Sequence, residues 1–307
     1  MLTEDIKLFD YWPYDNRPKI EWPNGAKLAF WVAPNIEFYE IDPPLNPFRK
    51  PWPKPNPYIA GYSIRDYGNR VGHMRQMALL DKYNIRGSIS LSAAICDHHP
   101  EIIEMCLERE WEFFSHGIYN TRYTYGLSED QEKQMILDAF STIEKHTGQA
   151  PAGYLAPALS HSPNTLDLFA EAGGIYTCDL FHDDQPTPVR VKGKNKFVSI
   201  PYSLEMNDTI AYVVNKIEPR HYGKIMRENF DRLYSEGSES GTVMCIPTHN
   251  YQISCPHRIR AFEETLEYIT GHSDVWITTG KEIAEYFIEH YYDSTVLDIN
   301  SKKEIKV

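Results

Sequence analysis

The stretch KLAFWVAPNIE, residues 27–37, contains an apolar run that is followed by Asn35 and, after Ile36, by Glu37. Residues 27–34 have the length and the composition of a β-strand bounded by turn-forming residues. Asn35 and Glu37 come directly after this predicted strand. A carboxylate and an amide at the end of a strand are candidate site residues. Whether other polar residues lie beside them depends on the order of the remaining strands and helices.

Seven further runs of the same kind follow along the chain, with helical patterns after most of them. The clearest helix is predicted over 129–146, where Ser128 and Gln131 form a capping box, and another over 163–172, with Ser162 as cap and Pro163 at the first helical position. Alternation of strands and helices is typical of an α/β fold. Seven or eight such units in 307 residues predict a single domain, residues 1–307, that forms a distorted (β/α) barrel. The predicted strands are 27–34, 87–92, 111–115, 152–155, 174–178, 197–201, 242–247 and 274–278.

A proline-rich segment, PPLNPFRKPWPKPNP at residues 43–57, interrupts this pattern. Repeated proline excludes both a helix and a central strand. A linker between two domains is one interpretation, but only a single strand precedes the segment. We therefore predict an insertion loop at about 41–60 that covers a site.

The composition excludes several classes of protein. The formal net charge is −12, and no run of lysine or arginine exceeds two residues, so no basic surface is predicted for nucleic acid. The N-terminus has no apolar signal region and no window resembles a membrane span. The five cysteines show no C-x-x-C spacing and predict reduced thiols. These features favour a cytoplasmic protein that binds neither nucleic acid nor membranes.

Polar side chains fall at the predicted strand ends, where barrels of this type carry their chemistry. His116 lies in FFSHG (113–117), just after a predicted strand, and Asn120 follows it four residues on. Tyr202 and His249 lie just after two later predicted strands. A single strand-end histidine is usually structural, and a lone carboxylate such as Glu37 is often solvated. Two histidines and a carboxylate on one rim instead predict an acid, a base and candidate metal ligands.

Several segments together resemble the polysaccharide deacetylase superfamily, with its NodB-homology barrel. They are PNIE (34–37), FFSHG (113–117), TGQAPAGYLAP (147–157), IPYSLEMND (200–208) and CIPTH (245–249). The stretches 67–88 and 273–287 are similar to the branch that contains metal-independent allantoinases and cyclic-amide hydrolases. The resemblance covers nearly the whole chain.

The resemblance implies roles for individual residues. Glu37 matches a metal-binding carboxylate, His116 the first histidine ligand and His249 a late general acid. Three departures follow: Asn35 replaces the expected base carboxylate, Asn120 replaces the second histidine, and YLAPA lacks the expected arginine. Because asparagine is a neutral, weak ligand, a zinc site made of Glu37, His116 and Asn120 and a metal-free site both remain open.

The resulting expectation is a hydrolase of non-peptide C–N bonds in a small amide, imide or ureide. Glu37, His116 and His249 are the predicted catalytic residues. One alternative is a metal-dependent N-deacetylase of an amino sugar or polysaccharide, and another is a non-catalytic barrel that binds a small molecule. The branch also implies a homo-oligomer. The predicted substrate-binding residues are Asn35, Arg70, Asn120, Tyr202, Asn207 and Asp208.

Overall fold

The computed structural model describes residues 7–44, 57–193 and 196–304. Its strands form one mainly parallel sheet. The strands are β1 (Leu28–Ile36), β2 (Ser88–Leu91), β3 (Glu112–Ser115), β4 (Gly153–Tyr154), β5 (Tyr176–Thr177), β6 (Thr187–Pro188), β7 (Val198–Ser199), β8 (Thr242–His249) and β9 (Val275–Ile277).

Helices follow most of the strands and cover the outside of the sheet. They are α1 (Ile59–Tyr67), α2 (His73–Lys82), α3 (Ala94–His98), α4 (Pro100–Leu107), α5 (Glu129–Thr147), α6 (Thr165–Glu171), α7 (Pro219–Glu236), α8 (Ile259–Thr270), α9 (Gly280–His290) and α10 (Tyr292–Glu304).

The strand order is β6-β7-β5-β4-β3-β2-β1-β8, and β9 pairs with the first residues of β1. All pairs are parallel except β6 with β7. The two ends of the curled sheet approach each other where the Val243 amide donates to the Asp184 carbonyl, 2.9 Å away. This is the distorted α/β barrel that the sequence predicts, and the fold class is confirmed.

All eight predicted strands are present, with ends that differ by a few residues. The capping box of Ser128 and Gln131 opens α5 as predicted. The helix predicted from residue 163 begins at Thr165 instead, because the Ser162 hydroxyl accepts from the Asn164 amide and holds a turn before the helix. The strand β6 was not predicted; its two residues are too few for a recognisable pattern.

The predicted insertion loop at about 41–60 falls largely on residues 45–56, outside the described residues. Its last positions already belong to α1, which begins at Ile59. That the chain forms one domain over 1–307 stays a prediction.

Strand β1 is fully buried and places the polar residues of the site side by side. Asn35 is paired in register with His249 of β8 and with Ser90 of β2. The backbone amide of His116 donates to the Leu91 carbonyl, which extends the β2–β3 ladder by one residue. Because neighbouring parallel strands end at one edge, Glu37, His116 and His249 emerge there together.

Helices α1 and α2 are continuous through a π-helical segment, Gly68–Gly72. A Cβ atom on Gly68 would lie 2.8 Å from the Tyr251 amide nitrogen, and one on Gly72 would overlap the Asn250 carbonyl. Only glycine therefore lets the helix contact the chain that follows β8. Segments of this type are frequent at functional sites.

Within the described ranges, no helix combines the length and the apolar character that a membrane crossing requires.

Candidate active site

The carboxylate of Glu37 lies at the centre of a buried cluster at the C-terminal edge of the sheet. Its Oε1 atom is 3.5 Å from His116 Nε2 and 3.5 Å from His249 Nε2. Its Oε2 atom accepts a hydrogen bond from the Tyr251 hydroxyl at 2.7 Å. The three residues predicted to be catalytic are therefore brought together, although their roles stay predictions.

Two opposing effects act on the pKa of Glu37. Burial alone would raise it, but the charge of His249 and the contacts from both histidines hold it well below its ordinary value. Burial and the Glu37 charge in turn raise the pKa of the Tyr251 hydroxyl, which remains a donor. The carboxylate is thus an anion with a fixed set of neighbours at neutral pH.

His249 is oriented by Asp208, which is completely buried. Asp208 Oδ1 is 2.7 Å from His249 Nδ1, and its Oδ2 accepts the backbone amides of His249 (2.8 Å) and Ile253 (3.1 Å). Burial lowers the pKa of His249, but the charges of Asp208 and Glu37 outweigh it and raise that pKa to about 10. His249 is therefore an imidazolium whose Nε2 proton faces Glu37.

His116 is held by the backbone. Its Nδ1 lies 2.7 Å from the Leu155 carbonyl oxygen, and because a carbonyl only accepts, Nδ1 must donate. The Nε2 atom is therefore the one that faces Glu37. Hydrogen bonding of the outer nitrogen fixes both the ring orientation and the tautomer.

Asn120 contributes an unused acceptor. Its Nδ2 donates to the Tyr39 hydroxyl at 2.7 Å, whereas its buried Oδ1 has no hydrogen-bond partner in the described residues. A buried carbonyl without a donor is unfavourable by about 1–3 kcal/mol. The Asn120 amide is thus arranged to accept a hydrogen bond from a bound molecule.

Asn35 and Tyr202 lie beneath this cluster and bind each other. Asn35 Nδ2 donates to the Tyr202 hydroxyl at 2.8 Å and to the Thr248 carbonyl at 3.1 Å. Asn207 uses its side-chain oxygen to accept the backbone amide of Thr209 at 2.9 Å. Their direct binding of substrate stays a prediction, and the contacts give them supporting positions.

Arg70 lies away from the cluster. Its exposed guanidinium forms an ion pair with Asp66 at 2.5 Å, one helical turn away. Arg65, in the preceding turn of α1, instead lines the cavity that contains Glu37. The position of Arg70 does not support the predicted anion contact.

Sequence reasoning missed Tyr39, Arg65 and Tyr251, which all contact the cluster. It also treated Asp208 as a substrate-binding residue, whereas the structure shows its carboxylate against His249. No spacing rule connects residues 208 and 249, because their contact depends on how two distant segments pack.

The donor atoms do not fit a catalytic zinc site. The described residues contain no group of three or more His, Cys, Asp or Glu side chains that could hold a metal ion. Glu37, His116 and the free Oδ1 of Asn120 supply one anion, one imidazole and one weak amide ligand. The His249 imidazolium also occupies the vicinity of Glu37 Oε1. We therefore derive no catalytic step from a metal.

The cavity beside Glu37 is small. The described residues leave only a small recess there, part of it open to solvent, which is well below the size typical of ligand pockets. Its walls are formed by Phe38, Tyr39, Tyr62, Arg65, Asp66 and Asn69 together with Glu37.

Comparisons with known proteins agree with this geometry. The polysaccharide deacetylase family model matches residues 64–176. A protein of Helicobacter pylori (strain ATCC 700392 / 26695) named peptidoglycan deacetylase is 24% identical over 255 residues, which are 73% of this chain and 86% of that protein. The crystal structure of PuuE allantoinase is 26% identical with a TM-score of 0.79, over 90% of this chain and 95% of that one.

A crystal structure from Pseudomonas aeruginosa PAO1, described as a probable polysaccharide deacetylase, is also 26% identical. Its TM-score is 0.78, and the match covers 90% of this chain and 96% of that chain. Over residues 64–176, and in its fold, the chain is therefore similar to the polysaccharide deacetylases, which hydrolyse carbon–nitrogen bonds other than peptide bonds.

Proposed function

We propose that this protein hydrolyses a C–N bond in a small amide, imide or ureide by direct attack of water. The observation that carries the proposal is the arrangement of Glu37 between His116 and His249, with Asp208 behind His249. It supplies a carboxylate and a proton donor 3.5 Å apart at one edge of the sheet. These are the groups that amide hydrolysis requires.

Two protons move in the reaction. The water oxygen attacks the carbonyl carbon while Glu37 accepts one water proton, and His249 Nε2 donates its proton to the leaving nitrogen as the C–N bond breaks. Because the positive charge of His249 is what lowers the pKa of Glu37, loss of that proton increases the basicity of the carboxylate. The proton on Glu37 then passes to His249, 3.5 Å away, and both groups are restored.

Two further groups position the substrate in this scheme. The free Oδ1 of Asn120 accepts an N–H group of the substrate, which satisfies a buried acceptor. The Tyr251 hydroxyl holds the Oε2 atom of Glu37, so that Oε1, beside His116 and His249, is the oxygen that accepts the water proton. Neither step uses a metal ion.

The size of the cavity supports a small substrate. Among the described residues, the space beside Glu37 is a small recess and not an open groove of the kind that would hold a sugar chain. The allantoinase among the structural neighbours acts, by its name, on a small cyclic ureide and matches 90% of this chain.

Removal of an acetyl group from an amino sugar is the second candidate. It is supported by the family model over residues 64–176 and by the 24% identical relative named peptidoglycan deacetylase. The same Glu37 and His249 would act, since an N-acetyl group is also an amide. A divalent metal would then be expected, and metal content separates the two candidates.

The experiment that tests the proposal is hydrolysis of a panel of allantoin, hydantoins, succinimide, linear amides and N-acetylglucosamine oligomers by purified protein, before and after chelation. Chelator-resistant opening of a small amide, imide or ureide supports the proposal. Release of acetate with stoichiometric zinc supports the second candidate. Tight binding without turnover of any compound would identify a non-catalytic barrel and overturn the proposal.

The variants Glu37→Gln and His249→Ala should each abolish turnover while circular dichroism shows a folded protein. Glu263→Gln is a suitable control, because Glu263 forms an exposed ion pair with Lys82 and does not line the cavity. Wild-type rates in a folded Glu37→Gln variant would exclude the role of base for Glu37.

A further inference from the structure

Arg65 occupies a part of the cavity that the proposed reaction does not use. The guanidinium carbon of Arg65 lies 4.4 Å from the ring centre of Tyr39 and 5.2 Å from that of Tyr251. Tyr251 binds the Glu37 carboxylate and Tyr39 binds Asn120. The cation thus belongs to the same wall of the cavity as the groups that surround Glu37.

The charge of Arg65 has no direct carboxylate partner. Among the described residues no ion pair within 4 Å joins its guanidinium to a carboxylate, and its buried Nε has no hydrogen-bond partner. The guanidinium interacts instead with the Tyr39 hydroxyl and, without direct contact, with the Glu37 charge. One terminal nitrogen donates to the Gly61 carbonyl at 3.2 Å. A cation that is largely removed from water is unfavourable unless an anion or several acceptors compensate it.

Neighbouring arginines show the contrast. Arg70 is exposed and pairs with Asp66 at 2.5 Å. Arg122, also exposed, pairs with Glu40 at 2.8 Å. Of these three arginines, Arg65 is the one that lines the cavity, and among the described residues no carboxylate forms an ion pair with it.

We propose that Arg65 is an anion-binding residue of this cavity and that the substrate is a small amide that carries a carboxylate. The inference rests on the proposed function in one respect only, namely that the substrate is an amide. A guanidinium binds a carboxylate through planar, charge-assisted hydrogen bonds. Because the Glu37 carboxylate repels an anion, the carboxylate of the substrate must lie at the Arg65 end and the amide at the Glu37 end.

The orientation has a consequence for specificity. A neutral amide of the same size would leave the Arg65 charge uncompensated, whereas its carboxylate analogue would satisfy it. Charge-assisted hydrogen bonds are worth enough for a preference of about 10-fold or more in the dissociation constant. The same attraction must weaken as salt concentration rises.

The test is isothermal titration calorimetry with succinamate and its neutral analogue succinamide, on the full chain and its variants. Wild type should bind succinamate about 10-fold more tightly. Arg65→Gln should lose this preference, and Arg65→Lys, which keeps the charge, should retain part of it. Arg122→Gln is the matched control and should bind both ligands as wild type does. Circular dichroism establishes that each variant is folded.

Three results would overturn the proposal. They are equal affinity of wild type for the two ligands, no binding of succinamate at millimolar concentration, and an unchanged preference in Arg65→Gln. Loss of the preference in Arg70→Gln alone would transfer the role to that residue. Since binding is measured at equilibrium, these outcomes are independent of turnover; failure of hydrolysis with retained, Arg65-dependent binding refutes the reaction and not the anion site.

Discussion

Replacement of Asp208 by asparagine tests the assignment of His249 as a buried imidazolium. Asparagine has almost the same shape, and its side-chain oxygen can still accept the backbone amides of His249 and Ile253. Its amide nitrogen, however, would face His249 Nδ1 where a carboxylate oxygen now lies at 2.7 Å. The ring then has to accept a hydrogen bond at Nδ1, which an imidazolium cannot do.

The magnitude follows from the pKa of His249. It is raised to about 10, against about 6.5 for an ordinary histidine, and a tenfold change in proton affinity corresponds to about 1.4 kcal/mol. The total is about 5 kcal/mol, shared between Asp208 and Glu37. A hydrogen bond between charged groups contributes about 1.5–3 kcal/mol. We therefore expect Asp208→Asn to lose about 3 kcal/mol of stability at neutral pH.

The pH dependence has a definite sign. Because the pKa of His249 is higher in the folded state, its contribution to stability is complete below about pH 6.5 and is lost as the pH rises towards 10. The difference in unfolding free energy between wild type and Asp208→Asn should thus be largest near pH 6.5 and shrink towards pH 10. Urea unfolding followed by tryptophan fluorescence at several pH values measures it.

A matched control is Asp183→Asn, which breaks the buried ion pair with Arg17 at 2.6 Å. Neither member of that pair contacts a histidine of the cluster, and Asp and Arg side chains ordinarily keep their charges between pH 7 and 10. Its destabilisation should be constant in this range. A difference for Asp208→Asn that is equally constant would refute the charged state assigned to His249.

Further predictions concern the rest of the cluster. Tyr251→Phe removes the hydrogen bond to Glu37 and should lower kcat about 10-fold in steady-state kinetics; an unchanged kcat would contradict this role. Gly68→Ala places a Cβ atom 2.8 Å from the Tyr251 amide and should destabilise the fold by about 1–3 kcal/mol in thermal unfolding. The depressed pKa of Glu37 predicts a contribution to stability that is present above about pH 4.5 and is lost on acidification; acid unfolding of Glu37→Gln should lack it. Elemental analysis should find no stoichiometric zinc, and chelation should leave the rate unchanged.

The barrel and its functional edge were accessible from sequence patterns. Eight short apolar runs separated by helical patterns predict parallel β-α units, and the observed strands agree with them. Glu37, His116 and His249 were identified because each directly follows such a run. Because the carboxyl ends of neighbouring parallel strands lie at one edge of the sheet, the position of these residues in the sequence was enough to place them at that edge.

The partners of these residues were decided by tertiary packing. Asp208 meets His249 only because the chain after β7 packs against the end of β8. Arg65 of α1 rather than Arg70 of the following π-helical segment lines the cavity, because the two residues lie on different faces of the continuous helix. The protonation of His249 follows from these contacts, because the carboxylates of Asp208 and Glu37, both distant from it in sequence, raise its pKa. Such contacts depend on side-chain direction and burial, which residue patterns do not encode locally, whereas hydrophobic periodicity is local and can be recognised in the sequence.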